Sequence, residues 1–247
     1  MHHAFVFLIG AHLIHQKVTV KAPPGTPAPP EQTSTLLWDG AKMRTDSGTD
    51  TSTIIDYKAD KITMLDHKRK QYSEQKISEV LAQLKLTFEA MRAQMAQLPK
   101  EQRDAMEGVL GQKAELKLKP TDETQKIIGF EAKKFRLEQA GKESGEVWYS
   151  KAIDMKDVAP YTKRFGEMTR GMMGSSWADV LAKTEHGYPL RSVITLDVMG
   201  QKASYTTETT QYEKVKADPA SFAPPADYAK VAAPQMPGAQ PVTKPTK

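Results

Sequence analysis

Residues 33–66, TSTLLWDGAKMRTDSGTDTSTIIDYKADKITMLD, decide the fold class. Thr33–Trp38 is rich in Thr, Leu and Trp, side chains that suit a pleated, half-buried surface. Asp39-Gly40 tolerates the positive φ of a tight hairpin turn, so this segment pairs with Lys42–Thr45. A polar glycine loop, Ser47–Asp50, leads to Ser52–Tyr57, and Ala59-Asp60 leads to Lys61–Asp66. Short strands joined in succession by tight turns predict an antiparallel meander.

Upstream, Val18, Val20 and Ala22 alternate with Thr19 and Lys21 as a half-buried strand does, and the Pro/Gly cluster Pro23–Pro30 stops them. Residues 1–17 form an N-terminal segment of two readings. Ala4–Ile9 with Ala11, Leu13 and Ile14 is either a signal-peptide remnant or an early first strand, and it is too short to span a membrane. Downstream, the basic run His67–Tyr72 reads as a short edge strand. The period then changes: Ile77, Val80, Leu81, Leu84, Phe88, Met91, Met95 and Leu98 recur every third or fourth position, one greasy face of a helix. Pro99 opens a partner, Lys100–Leu110, so 76–111 is a helical insertion.

The strand pattern resumes at Leu116 and Leu118 and stops at Pro120, because proline cannot donate to a ladder. Gln125–Ile128 and Glu131–Glu138 make a hairpin, and Gly141–Gly145 turns the chain into Glu146–Lys151. A second helical insertion covers 155–183, with Val158, Tyr161, Phe165, Met168 and Met172 on one face and Trp177, Val180 and Leu181 in a further turn. Leu190–Val198 and Ala203–Glu213 form a last long hairpin around Met199-Gly200-Gln201. Phe222, Pro224, Pro225 and Tyr228 staple the C-terminus to the sheet, and 232–247 is a Pro-rich disordered tail. No linker divides the folded part, which reads as one domain over 18–231.

Composition narrows the chemistry. The net charge of +5 comes from 35 basic residues interspersed with 30 acidic ones, a mixed surface with no Arg-packed helix, so nucleic-acid binding is not expected. The absence of cysteine excludes disulfides, thiolate catalysis and a lipid-modified N-terminal cysteine. No glycine-rich phosphate loop and no Gly-x-Ser-x-Gly elbow occurs, so neither a catalytic residue nor a cofactor is implied. His12 and His15 lack a nearby acidic ligand and read as solvated or packed imidazoles, with no metal site expected. Asp154 and Asp157 sit where they cap a helix entrance. Lys68, Arg69 and Lys70 form a solvated edge or a docking patch for an anionic membrane surface. The methionines of both insertions are flexible, polarizable side chains that either fill the core or mould to an apolar ligand.

Gly40–Asp46, Ile62–Lys68, Ile127–Phe135, Glu146–Ser150, Gly187–Arg191 and Ser221–Tyr228, in this order, resemble the bacterial cell-envelope family known as domain of unknown function 4412. That family is similar in architecture to the lipoprotein carriers of the periplasm. The resemblance implies an α+β fold: a single strongly curved antiparallel sheet, a lipoprotein-carrier-like half-barrel, with helices covering its concave face. It also implies export to the periplasm or cell envelope. On this reading the protein is not an enzyme. It binds a hydrophobic ligand (lipid, acyl chain or lipoprotein) at Leu84, Phe88, Met91, Met95, Phe165, Met168, Met172 and Trp177. The alternative is a structural or sensing module with a filled core.

Overall fold

The structure, a computed structural model, describes residues 10–100, 116–139, 141–156, 159–161, 186–198 and 201–233. Its strands are β1 (Ala11–Lys21), β2 (Gln32–Asp39), β3 (Lys42–Ser47), β4 (Thr51–Asp56), β5 (Lys61–Asp66) and β6 (Gln71–Lys76), then β7 (Leu116–Ile127), β8 (Phe130–Gln139), β9 (Lys142–Ser150), β10 (Tyr188–Val198), β11 (Gln201–Val215) and β12 (Ala229–Lys230). Helix α1 (Ile77–Ala96) follows β6, and a 3-10 turn, Pro219–Phe222, precedes β12. All strands join one 12-stranded sheet in the order β12-β6-β5-β4-β3-β2-β1-β11-β10-β9-β8-β7. The chain meanders outward from β1 to β6, resumes at the opposite edge with β7, and meanders back until β11 lies against β1. Every neighbouring pair is antiparallel except β12 with β6.

The sheet is open, since β7 and β12 lie at its two ends, and it is curved. Phe130 of β8 and Tyr212 of β11 are separated by β9 and β10, which in a flat sheet would hold them about 14 Å apart. Their ring centroids are 5.8 Å apart. Gln16 of β1 likewise reaches across β11 to the Tyr188 hydroxyl of β10 at 2.9 Å. The inside of this curve holds the main core: Ile14, Trp38, Met43, Ile55 and Tyr57 from one half of the sheet, Ala132, Trp148, Tyr188 and Leu190 from the other. Strand β9 is buried on both faces. Trp148 joins the main core, while its neighbours Val147 and Tyr149 join a second cluster with Phe135, Leu137 and Ile194.

Several elements differ from the sequence reading. Residues 67–70 form a turn, with Lys70 at φ 50°, and the edge-side strand is β6 from Gln71. Pro120 does not end β7. The strand continues to Ile127 past a register shift between Pro120 and Thr124, because at the rim of a sheet the missing N–H breaks no ladder bond on an outer side. Gly145 lies within β9 and not in a turn. The sheet includes residues from Ala11, inside the segment 1–17. Lys100 is described only at the edge of its predicted helix. The remainder of that helix, and Phe165, Met168, Met172 and Trp177, lie outside the described residues.

Candidate functional site

The concave face is the first candidate site, and α1 runs into it from the end of β6, with its first turn beside the turn between β4 and β5. Lys76, at the helix N-cap, makes no side-chain capping bond. Asp60 supplies the cap instead: its carbonyl accepts from the Ile77 N–H at 3.0 Å, and its carboxylate accepts from the Ser78 hydroxyl at 2.6 Å. This fixes the first turn, so Ile77 is buried in the main core and Leu81 packs on its margin. Farther along, Leu84 is half-buried, Leu86 is exposed and Met95 is buried. Of the proposed ligand residues, Leu84 and Met95 thus have a described burial, and neither is a member of the main core. Phe88 and Met91 lie on α1, with no side-chain placement described. Aromatic rings rim the core: Tyr161 stacks on buried Tyr57 at 5.6 Å, and Phe130 meets Tyr212 edge-on.

A second cluster, which sequence spacing did not expose, sits on the opposite face of β3. Arg44 and Asp46 alternate with core residue Met43, and register places Ser52 directly across from Asp46. Ser52 is buried and donates its hydroxyl proton to Asp46. Its oxygen accepts from Arg44 Nη2 at 3.3 Å and lies 2.5 Å from His67 Nε2. Arg44 also binds Asp46 at 2.8 Å and donates to the Ser221 carbonyl at 3.0 Å, and Tyr228 Oη meets His67 Nδ1 at 2.7 Å. The network therefore clasps the C-terminal segment to the sheet, helped by the parallel pairing of β12 with β6. Of the expected staple of Phe222, Pro224, Pro225 and Tyr228, Tyr228 takes part in this network, together with the Ser221 carbonyl.

The Ser52–His67 pair resembles a nucleophile with its base, but its proton arrangement argues otherwise. A carboxylate only accepts, so Ser52 spends its single proton on Asp46 and must accept from His67. Nε2 then carries a proton and has no lone pair with which to take one from Ser52. The arrangement holds a segment in place and does not activate a hydroxyl.

Carboxylates reinforce the clasp, and this gives it a pH dependence. Hydrogen bonds from Lys230 and Lys61 hold Glu74 below the usual glutamate range. Lys70 does the same for Asp227, and Lys68 for Asp50. A carboxyl whose folded pKa is depressed stabilises the fold above its unfolded pKa, and that contribution is lost as pH falls through the folded value. Amide exchange at Ala229–Val231 is therefore expected to accelerate below about pH 4, relative to β1. Uniform protection of both regions down to pH 3 would contradict this account.

The sequence profile of the family described as a domain of unknown function (DUF4412) matches residues 93–228, more than half of the chain. The chain belongs to that family. No curated protein matches it. Among solved structures it is similar to PNGF-II, at 13% identity and a TM-score of 0.37, covering 90% of this chain and 31% of that one. It is also similar to MucB in complex with MucA(peri), at 11% identity and 0.39, covering 91% and 57%. A third is a LolA superfamily protein from Nitrosomonas europaea, at 6% identity and 0.32, covering 86% and 89%. The chain thus spans about a third of PNGF-II and somewhat over half of MucB.

Within this DUF4412 chain the family match ends at Tyr228, the residue that meets His67. The other described histidines are packed: His12 is buried and bonds Tyr212 at 3.2 Å, His15 bonds Thr35 at 3.1 Å, and His186 lies 4.4 Å from the Phe135 ring. Among the described residues no three His, Asp or Glu converge as a metal site. Asp154 caps a turn by accepting from the Lys156 N–H at 3.0 Å. Each cation of the basic turn faces a carboxylate: Lys68 with Asp50 at 2.6 Å, Arg69 with Asp66 at 3.8 Å, Lys70 with Asp227 at 2.8 Å. Such pairing lowers the field that turn presents to an anionic surface.

Proposed function

We propose that the protein is a non-enzymatic carrier of the periplasm or cell envelope that holds an apolar ligand, a lipid or acyl chain, between the concave face of the sheet and its helices. The observation that carries this reading is the seating of α1. It is pinned by Asp60 at its first turn and buried at Ile77 and Met95, while Val80 and Leu84 between them are only half-buried. A helix anchored at its first turn and only partly buried beyond it is a cover that admits a guest. An open curved sheet needs such a cover, because its inner face cannot close on itself. Export is supported by the family resemblance. The second reading, a structural or sensing module with a filled core, draws on the main cluster itself, whose most exposed member, Tyr188, is only 8% exposed.

Native mass spectrometry of protein taken from cells is expected to show a co-purifying lipid, and a fluorescent acyl chain is expected to bind in vitro. Leu84→Asp and Met168→Asp should each weaken binding about tenfold or more, the effect of placing a carboxylate against an apolar chain. Arg69→Ala, at an exposed ion pair, should stay within about twofold. Neither co-purification nor binding would remove the carrier reading. A loss of binding that only tracks a loss of thermal stability would favour the filled module.

A further inference from the structure

Two β-bulges converge on one spot inside the curve. The β1–β11 register shifts between His15 and Gln16, so Gln16 faces Thr209. The β9–β10 register shifts between Pro189 and Arg191, next to Tyr188. Bulges re-aim side chains, and these bring Gln16, Tyr188 and Thr209 together within the core, near Ile14, Trp148 and Leu190.

The hydrogen bonds of this trio do not balance. Gln16 Nε2 donates to the Tyr188 hydroxyl oxygen, which uses that oxygen as an acceptor and leaves its proton to give. Thr209 lies beside the phenol, within reach of its hydroxyl, and is 1% exposed, and its Oγ1 has no other partner among the described residues. Burial pushes the Tyr188 hydroxyl well above the ordinary phenol range, against the opposing effect of the Thr209 hydroxyl, so it stays a donor across physiological pH. When one hydroxyl of the pair donates to the other, one buried O–H proton still lacks an acceptor among the described residues, although buried polar groups are almost always satisfied.

We infer that Gln16, Tyr188 and Thr209 form the polar end of the ligand site and hydrogen-bond the carbonyl oxygen of an uncharged acyl ester, whose chain lies along the apolar face. The inference rests on the carrier reading and specifies its ligand class. Donors without a charged group match a neutral carbonyl better than a carboxylate, since a buried anion needs a cation or a full set of donors. The trio also sets a direction, with the ester held at the bulges and the chain running towards the aromatic rim.

The test compares three probes on the full chain: a pyrene-labelled diacylglycerol, a pyrene-labelled fatty acid at pH 8, and a pyrene-labelled alkane. The ester is expected to bind about tenfold more tightly than either of the others. Tyr188→Phe and Thr209→Val should each remove most of that preference and leave alkane binding unchanged, with Tm held or raised. If the variants keep the ester preference, or if the wild type binds alkane and ester equally, the polar-end assignment fails while the carrier reading stands. If no probe binds, both fail. Raised stability with unaltered binding identifies Thr209 and Tyr188 as a merely tolerated internal defect.

Discussion

Replacing Trp148 by Ala is expected to lower the unfolding free energy by about 3–5 kcal/mol, the usual cost of emptying a large aromatic site. Trp148 sits in β9, the strand whose two faces serve different clusters, and is 6% exposed. Its ring fills the main core opposite residues from β2, β3 and β4, so it bridges the two halves of the curve. Its indole N–H donates to Glu146 at 3.2 Å, and the Lys134 ammonium lies 5.6 Å from the ring centroid. Removing the ring therefore leaves a cavity and also takes a donor from Glu146, which is left to Lys134 at 2.9 Å. In a chain of 247 residues this corresponds to a Tm lower by about 10 °C. Trp148→Phe keeps most of the volume and should cost less than half as much. Denaturant melts of the two variants decide the matter: a loss under about 1 kcal/mol for the alanine would mean that the halves do not depend on each other through this face.

How much of this was legible in the sequence depends on how local the cause was. The meander β2–β5 follows from alternation and from Asp39-Gly40 and Ala59-Asp60, residues that sit inside the turns they create. α1 follows from the spacing of Ile77, Leu81, Leu84 and Met95. The proline rule misled at Pro120 because it concerns a strand with partners on both sides, whereas among the described strands β7 is bonded to β8 alone. His67–Lys70 resembled a strand in composition, yet Asp66 accepts from the Arg69 N–H and turns the chain.

The sites were less legible, for a related reason. Arg44, Asp46, Ser52, His67 and Tyr228 come from distant parts of the chain and meet only through strand register and C-terminal docking. One signal was available: Asp46 and Ser52 flank the glycine loop symmetrically, so a hairpin there makes them neighbours. Gln16, Tyr188 and Thr209 offered none, because a bulge changes which residues face each other without leaving a mark in periodicity. The apolar stripe of α1 was visible, but a stripe names the face that is buried and not the partner that buries it.

Gly187→Ala is expected to be, with Gly145→Ala, one of the two most disruptive single-methyl changes along the described chain. Gly187 enters β10 at φ +94°, a left-handed conformation that a side chain resists, and an added Cβ would lie 2.1 Å from the Ser150 carbonyl oxygen. That neighbour is backbone at the end of β9 and cannot swing aside as a flexible side chain would. The cost is therefore conformational strain of about 1–3 kcal/mol together with displacement of the β9–β10 junction. Tyr188 is the next residue, and its hydroxyl reaches Gln16 only because that junction holds its position. The variant should accordingly lose the Gln16–Tyr188 contact along with stability, and should express mainly in insoluble form. Gly25→Ala separates the two contributions: Gly25 also has a positive φ, +83°, but its added Cβ meets nothing within 4 Å. Its cost is expected near 1 kcal/mol, the conformational part alone. Equal melting temperatures for the two alanine variants would show that the contact with Ser150 relaxes freely, and that the bend leading into Tyr188 is not fixed by close backbone approach.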